Sequence, residues 1–337
     1  MPTRSSTPWY NGSRPLDSMQ GSATRVRGGA YTDLRELIRL RYAAREINQA
    51  ATRKSRNPLS GLLTSNFRGR GIDFAEVRVY QPGDDIRSID WRVTARTEIP
   101  HTKLFQEEKE RPVLLLVDQS HGMFFGSHHA FKSVVAAEVA ALLAWTALDR
   151  GDRTGGIVFS ERGHREIRPR RNKHAVLRLL SAIDDFNHEL TREQPERNGN
   201  YLVQALRNVR RVAKHGSTIF LISDFARFDD GALVHFSQMA RHNDVVGIHV
   251  SDTLERELPR PDLYTITNGQ ARVRINAASR NYRTRYHEEF AARLEKVKYE
   301  LGKVRAPLIE IMTGDSVVES LASKYNEYVA LQRPRRR

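Results

Sequence analysis

Cysteine is absent from the chain of 337 residues. This absence excludes disulfide bonds, thiolate metal sites and thiol nucleophiles, and it is typical of proteins from a reducing compartment. Long hydrophobic runs are missing too, because the longest apolar tract, residues 133–148, contains Glu138 and is too short to span a bilayer. The first residues lack the apolar core of a signal peptide. We therefore expect a cytoplasmic protein without a membrane span.

Acidic residues are outnumbered, since 40 Asp and Glu stand against 55 Lys and Arg, for a net charge of +15. Such a surface attracts polyanions or acidic proteins. Nucleic-acid binding would call for aromatic residues interleaved with the basic runs for base stacking, and only Tyr282 and Tyr286 come close. The basic runs are most simply interpreted as a solvated face. Among functional interpretations we favour an acidic protein partner and keep a basic nucleic-acid-associated protein as an alternative. The basic runs are residues 162–173, 207–214, 280–285 and 333–337.

Two uninterrupted apolar segments end in acidic residues. Residues 112–117 run directly into Asp118 and Ser120, and residues 218–222 run into Ser223 and Asp224. Apolar runs without alternation are typical of strands that are buried on both faces, as at the centre of a parallel sheet. Ligands of such sheets bind beyond the carboxyl ends of the strands. The sequence therefore predicts a functional site where Asp118, Ser120 and Asp224 meet.

From residue 112 onwards, strand patterns alternate with helix patterns. This order predicts an α/β fold with a doubly wound, mostly parallel sheet. An amphipathic helix is predicted over residues 31–51, with Thr32 or Asp33 as its cap. The expected organisation is a disordered basic arm (1–28), an N-terminal helix and clasp segment (29–111), the sheet domain (112–328) and a basic tail (329–337).

The clasp, residues 72–96, interleaves acidic and basic residues around Trp91. One interpretation is an internal ion-pair network in which Ile89 and Trp91 anchor the clasp on the sheet domain. The other is a recognition surface for a partner protein. The alternation at Trp91 and Val93 predicts a strand, and Asp84 is predicted to cap a short helical turn.

Two resemblances follow from these motifs. A first strand that ends in Asp-x-Ser, followed by alternating helices and strands, resembles the von Willebrand factor type A fold, which has a Rossmann-type topology. The strings "RGRGIDFAEVRVYQPGDDIRSIDWRVTAR" and "LFQEEKERPVLLLVDQS" resemble the bacterial domain of unknown function 58 family, over roughly residues 31–325. Members of that family are often encoded beside MoxR-type AAA ATPases. The resemblance implies an adaptor that works with such an ATPase on an unknown client protein.

The von Willebrand resemblance also implies a metal-ion-dependent adhesion site. Its pattern is Asp-x-Ser-x-Ser, a later Thr and a further Asp. Asp118 and Ser120 match the first two ligands, Asp224 matches the last, and Asn200 stands at the Thr position, while Gly122 replaces the second Ser. The resemblance thus implies a degenerate site for Mg²⁺ or Mn²⁺. The alternative is an ancestral site now held together by hydrogen bonds, in which Asp118 accepts from backbone N–H groups.

Motifs of catalysis are missing from the sequence. It contains no Gly-x-Ser-x-Gly elbow and no phosphate-binding loop, and residues 118–120 lack the second Asp that aspartyl phosphotransferases need. We therefore predict a non-catalytic protein-interaction module. A metal-dependent phosphohydrolase that uses Asp118 and Asp224 is the main alternative from another class.

Overall fold

The computed structural model describes residues 29–53, 73–81, 84–106, 112–191, 200–267 and 272–321. The predicted disordered arm (1–28) and basic tail (329–337) lie outside these residues, as does the end of the last predicted helix. Residues 317–321 are helical. The other helices are α1 (Leu34–Arg53), α2 (Trp91–Thr97), α3 (Lys132–Asp149), α4 (Lys173–His188), α5 (Tyr201–Val212), α6 (Asp230–Ala240), α7 (Thr253–Arg256) and α8 (Arg280–Lys303).

A six-stranded sheet forms the centre of the molecule. Its order is β10-β7-β6-β3-β4-β5, and every neighbouring pair is parallel except β4 and β5, which are antiparallel. The predicted doubly wound, mostly parallel sheet is therefore confirmed. The strands are β3 (Pro112–Asp118), β4 (Arg153–Ser160), β5 (Gly163–Arg170), β6 (Thr218–Ser223), β7 (Asp244–Ser251) and β10 (Leu308–Met312).

Strand β3 is buried on both faces, which explains its unbroken apolar sequence. Val113, Leu115 and Val117 belong to the core on one side of the sheet. Leu114 and Leu116 belong to the core on the other side. A polar residue at any of these positions would bury a polar group in one of the two cores, where water cannot hydrate it, and this burial is unfavourable.

Helix α1 is built into the first of these cores. Its residues Leu37, Leu40 and Ala44 are buried in the same cluster as the apolar residues of α3. The indole Nε1 of Trp145, in α3, donates to the Leu37 carbonyl oxygen at 3.1 Å. The sequence grouped this helix with the clasp, whereas the structure packs it on the sheet domain. The predicted cap is present, since the Asp33 carboxylate accepts from the Arg35 N–H at 2.8 Å.

A chain of buried hydrogen bonds ties the start of α1 to the end of β3. The Thr32 N–H donates to the Asn187 side chain at 2.8 Å. The Asn187 amide donates to the Gln119 Oε1 at 3.0 Å, and the Gln119 Nε2 donates to the Ser133 carbonyl oxygen at 2.9 Å. Because Asn187 and Gln119 are fully buried, each bond satisfies a polar group that water cannot reach.

The clasp and the ten residues that follow it fold as a small antiparallel hairpin with a helix between its strands, which we call the clasp hairpin. Strand β1 (Asp73–Val79) pairs with β2 (His101–Gln106), and α2 lies between them in the sequence. The prediction of a strand at Trp91 is wrong, because Asp90 accepts from the Arg92 and Val93 N–H groups and so starts a helix. The predicted anchoring by Trp91 is also wrong, since this side chain is 68% exposed.

The charged residues of the clasp mainly order the clasp itself. Asp84 pairs with Arg78 at 2.8 Å and accepts from the Gln81 N–H, so it closes a turn. Asp85, one residue further than predicted, caps the 3₁₀ turn of residues 86–88. The described contacts of these two aspartates therefore lie within the clasp and do not link it to the central sheet.

A second hairpin, β8 (Leu263–Thr267) with β9 (Arg272–Asn276), precedes α8. The predicted turn at Asn268-Gly269 between these strands lies outside the described residues. Within the described ranges, every helix is too short or too polar to cross a membrane.

Candidate functional site

The two strands that end in acidic residues are neighbours at the centre of the sheet. Strand β3 pairs with β6 on one side and with β4 on the other. The chain therefore proceeds in opposite directions across the sheet from β3, and this is the topological switch point at which doubly wound folds form a ligand crevice. Asp118 ends β3, and Asp224 directly follows β6. The parallel pairing of β3 with β6 therefore places Asp118 and Asp224 at the same edge of the sheet, as predicted.

Both oxygens of the Asp118 carboxylate are engaged inside the protein. Its Oδ1 accepts from the Ser120 N–H at 2.9 Å, and its Oδ2 accepts from the Ser223 hydroxyl at 2.6 Å. The Ser223 Oγ accepts in turn from the Phe225 N–H at 3.1 Å. Asp118 is 3% exposed. The bond from the Ser120 N–H is of the kind expected for the hydrogen-bonded alternative, whereas the bond from the Ser223 hydroxyl was not predicted.

Asp224 is paired with a lysine that the sequence did not single out. The Lys132 Nζ lies 2.9 Å from the Asp224 Oδ2 and 2.6 Å from the Glu255 Oε1. The lysine side chain is 1% exposed, whereas those of Asp224 and Glu255 are 12% and 29% exposed. The second Asp224 oxygen accepts from the Ala226 N–H at 3.0 Å. One buried ammonium therefore bridges two carboxylates at the strand ends.

Glu255 is fixed by a capping box after β7. The Asp252 side chain accepts from the Leu254 N–H, and the Glu255 Oε2 accepts from the Asp252 N–H at 3.0 Å. Asp252 also accepts from the Ser127 and Thr313 hydroxyls, at 2.6 and 2.5 Å. The capping box therefore holds the second carboxylate against Lys132 and joins the loop after β3 to the end of β10.

The protonation states of the two aspartates diverge. Burial, and then the neighbouring Asp224 charge, raise the pKa of Asp118 from 3.8 to about 7. Burial also acts to raise the pKa of Asp224, but the Lys132 charge and the Ala226 N–H outweigh it and hold this pKa below its usual range. Burial acts to lower the pKa of Lys132, but the charges of Asp224 and Glu255 keep it above its ordinary value. At neutral pH the site holds a charged lysine paired with a charged Asp224.

Gly122 and Ser120 lie beside the Asp224 carboxylate. A Cβ placed on Gly122 would lie 3.2 Å from the Asp224 Oδ2 and 4.0 Å from the Ser120 Oγ. A serine side chain at this position would thus begin beside the Asp224 carboxylate. Tyr201, the first residue of α5, lies close to the same groups. Burial and then the Asp118 charge raise the pKa of its phenol, while a hydrogen bond to Ser120 acts to lower this pKa.

Asn200, the fourth residue predicted to bind metal, makes its hydrogen bonds elsewhere. Its Oδ1 accepts from the Val203 N–H at 3.1 Å, so that it caps α5. Its Nδ2 donates to the Asp229 Oδ2 at 2.6 Å and to the Arg227 carbonyl oxygen at 3.3 Å. The structure therefore brings together Asp118, Ser120 and Asp224, and it uses Asn200 as a helix cap.

The role of Asn200 can be tested by substitution. Asn200→Ala is expected to lower the free energy of unfolding by about 1 kcal/mol, the usual cost of losing an N-cap side chain. Asn200→Ser keeps an oxygen acceptor at the cap without placing a second carboxylate beside Asp229, and it should stay within about 0.5 kcal/mol of the wild type. Urea unfolding followed by circular dichroism measures both. An alanine variant as stable as the wild type would contradict the capping role.

The donor set does not fit a divalent cation. Hard cations need oxygen ligands whose lone pairs are available, but Asp118 accepts two internal hydrogen bonds and one Asp224 oxygen is bound to Lys132. Within the described ranges, no cluster of three or more His, Asp or Glu side chains is arranged to hold a metal ion. The geometry therefore favours the hydrogen-bonded alternative over a site for Mg²⁺ or Mn²⁺.

Lys132 and Glu255 are the site residues that sequence reasoning missed. A signal for Lys132 was present, because a lysine that opens a long apolar helix directly after a strand-end loop needs a buried partner. Glu255 carries a signal as well, since it stands three residues after Asp252 in a capping-box pattern. The pattern predicts the local cap but not that its glutamate reaches across to another helix.

Comparison with known proteins identifies relatives without an assigned role. A family model described as "Protein of unknown function DUF58" matches residues 76–296, which include most of the clasp hairpin and all of the strand-end residues. Uncharacterized proteins of Mycobacterium tuberculosis and Mycobacterium bovis are each 28% identical over 224 residues, which are 66% of this chain and 68% of the relative. The crystal structure of the conserved hypothetical protein BatB from Bacteroides thetaiotaomicron is similar with a TM-score of 0.40 and 12% identity, over 65% of this chain and 99% of that one.

Proposed function

The chain belongs to the family of proteins of unknown function DUF58, and on that premise we propose that it is a non-catalytic protein-interaction module of the cytoplasm. The observation that carries this proposal is the exposure of large apolar side chains on the clasp and just after it. Several exposed large apolar side chains within one small unit make that unit a candidate protein-binding surface. The clasp face, as we define it, consists of Val79, Ile86, Trp91 and Ile99, each of which is at least half exposed.

The net charge of the chain indicates the kind of partner. Exposed charges of both signs flank the clasp face in the sequence, namely Arg87, Arg92 and Arg96 with Asp85 and Glu98, but the whole chain carries a net charge of +15. A partner that presents apolar side chains within an acidic rim would complement this surface. The family resemblance supplies the candidate, a MoxR-type AAA ATPase, for which this chain would act as an adaptor toward a client protein.

Substitution of Trp91 separates binding from stability. Trp91→Ala is expected to weaken binding to the ATPase at least tenfold, since buried tryptophans are frequent hot spots of interfaces. Its free energy of unfolding should change by less than about 1 kcal/mol, because the indole is 68% exposed in the free protein. Surface plasmon resonance with a MoxR-type AAA ATPase measures binding, and urea unfolding measures stability.

The matched control is Tyr299→Ala, which removes an aromatic side chain of similar exposure, 66%, from α8. This variant should bind the ATPase as the wild type does. Wild-type binding should also weaken as salt is raised, because exposed charges are screened. Unchanged affinity of the Trp91 variant would refute the clasp face as the docking surface, and failure of the wild type to bind would refute the choice of partner.

The two alternative classes predict different results with the same purified protein. A metal-dependent phosphohydrolase would hydrolyse a phosphoester with Mg²⁺ or Mn²⁺ and lose this activity in Asp118→Asn. A nucleic-acid-associated protein would retain DNA with a steep dependence on salt. We expect neither result, since Asp118 is engaged in internal hydrogen bonds and the basic runs have few aromatic neighbours.

A further inference from the structure

We propose that the Lys132 ammonium is the resident cation of the strand-end crevice and stands in the place of a divalent metal ion. The proposal concerns the crevice alone and does not depend on the clasp face. It is carried by three features of the described residues: the position of the ammonium, the burial of its side chain and the chemistry of the groups around it.

The ammonium occupies a carboxylate oxygen that a metal ion in this crevice would use. A Mg²⁺ or Mn²⁺ ion bound to Asp224 would lie about 2.0–2.3 Å from a carboxylate oxygen. The Asp224 Oδ2, the oxygen nearest to Gly122, already has the Lys132 Nζ at 2.9 Å. A divalent ion on that oxygen would face a like charge at close range, which is strongly unfavourable in a site with little water.

The lysine is fixed in this place. It is the first residue of α3, an end of the helix at which the backbone dipole disfavours a positive charge. Its side chain is 1% exposed, so the charge cannot move into water without opening the loop around it. Asp224 and Glu255 bind the ammonium at 2.9 and 2.6 Å, and their charges offset both the unfavourable helix dipole and the loss of hydration.

The other groups of the crevice are compatible with a tethered cation. Gly122 carries no hydroxyl beside Asp224, and Asp118 uses its two oxygens for Ser120 and Ser223. A lysine ammonium has three N–H donors and is attached covalently to the chain. It therefore needs hydrogen-bond acceptors, whereas a metal ion would need a full set of coordinating oxygen atoms. The crevice provides two carboxylates from different strand ends as these acceptors.

Thermal unfolding with and without Mn²⁺ tests the proposal. The wild type should show the same melting temperature with 5 mM MnCl₂ as with matched ionic strength from NaCl. In Lys132→Ser the cation is removed and space is left beside two carboxylates. Mn²⁺ should then raise the melting temperature of this variant by about 3 °C or more, as expected for a ligand that binds only the folded state at well above its dissociation constant.

Two variants control for non-specific effects of manganese. Lys173→Ser removes an exposed lysine that likewise begins a helix, α4, and it should show no response. Adding Asp224→Asn to Lys132→Ser should abolish the response. A wild-type protein stabilised by Mn²⁺ in a manner that Asp224→Asn removes would overturn the proposal. A folded Lys132→Ser variant without any response would overturn it as well.

Gly122→Ser keeps the proposal open to refutation if Lys132→Ser does not fold. This substitution restores a hydroxyl beside the Asp224 Oδ2 while the lysine stays in place. We expect no binding of Mn²⁺, measured as loss of the electron paramagnetic resonance signal of the free ion during titration. Binding of one ion per chain by Gly122→Ser would show that the lysine does not occupy the place of the cation.

Discussion

Replacement of Lys132 by methionine is expected to lower the free energy of unfolding by about 3–5 kcal/mol, the range found when one partner of a buried ion pair is removed. Methionine retains most of the length and the apolar stem of lysine, so little packing is lost. What is lost is the positive charge between Asp224 and Glu255. Asp224, whose side chain is 12% exposed, would then be left as a poorly hydrated negative charge beside Asp118.

The matched control is Lys173→Met, because Lys173 is also the first residue of a helix but is exposed. Its replacement should change the free energy of unfolding by less than about 0.5 kcal/mol, as surface substitutions usually do. Urea unfolding of both variants at pH 7 provides the comparison. Equal stabilities of the two variants would mean that the ion pairs of Lys132 add nothing beyond those of a surface charge.

The second large effect is expected in the pH dependence of stability at Asp118. Burial and the Asp224 charge raise its pKa in the folded protein to about 7, from 3.8. Between these two pH values the folded state holds a proton that the unfolded state has released. The contribution of Asp118 is therefore most favourable below pH 4 and is lost as the pH rises through 7, by about 4 kcal/mol in total.

Asp118→Asn should remove this part of the pH dependence. Its carboxamide oxygen can still accept from the Ser120 N–H, and its amino group can donate to the Ser223 oxygen. Relative to the wild type, we expect the variant to gain about 3 kcal/mol of stability between pH 4.5 and pH 8. Urea unfolding at several pH values within this window measures the difference.

An exposed aspartate provides the control for this measurement. Asp230→Asn changes the first residue of α6, whose side chain is exposed, and its stability should follow the wild type across the same pH values. If the Asp118→Asn curve also runs parallel to the wild type, Asp118 is ionised in the folded protein at pH 5. That result would instead favour a site in which a cation compensates both aspartates.

The positions of the strand ends were easier to predict from this sequence than the ion pairs that form beside them. The buried strands β3 and β6 were evident because an apolar run without alternation fits a two-sided core. The topology then requires Asp118 and Asp224 to meet. Lys132 could not be placed in the same way, because its partner Glu255 is 123 residues away along the chain. No local periodicity relates residues that lie so far apart.

At Trp91 the local sequence pattern was clear, but the prediction made from it was wrong. A tryptophan among alternating charges is typical of a buried anchor in a strand, yet Asp90 caps a helix at this point and leaves the indole exposed. Competition between a cap and a strand pattern is decided by hydrogen bonds to the backbone. The side-chain pattern alone does not contain this information.

The residues matched by the family model do not include all the elements that pack in the central sheet domain. The family match spans residues 76–296, but α1 lies before it and β10 after it. Helix α1 covers apolar residues of α3 in the main core, and β10 pairs with β7 at the edge of the sheet. An expression fragment cut at the family limits would expose an apolar helix face and create an unpaired strand, both of which promote aggregation. Fragments for domain dissection should therefore begin before residue 32 and continue past residue 321.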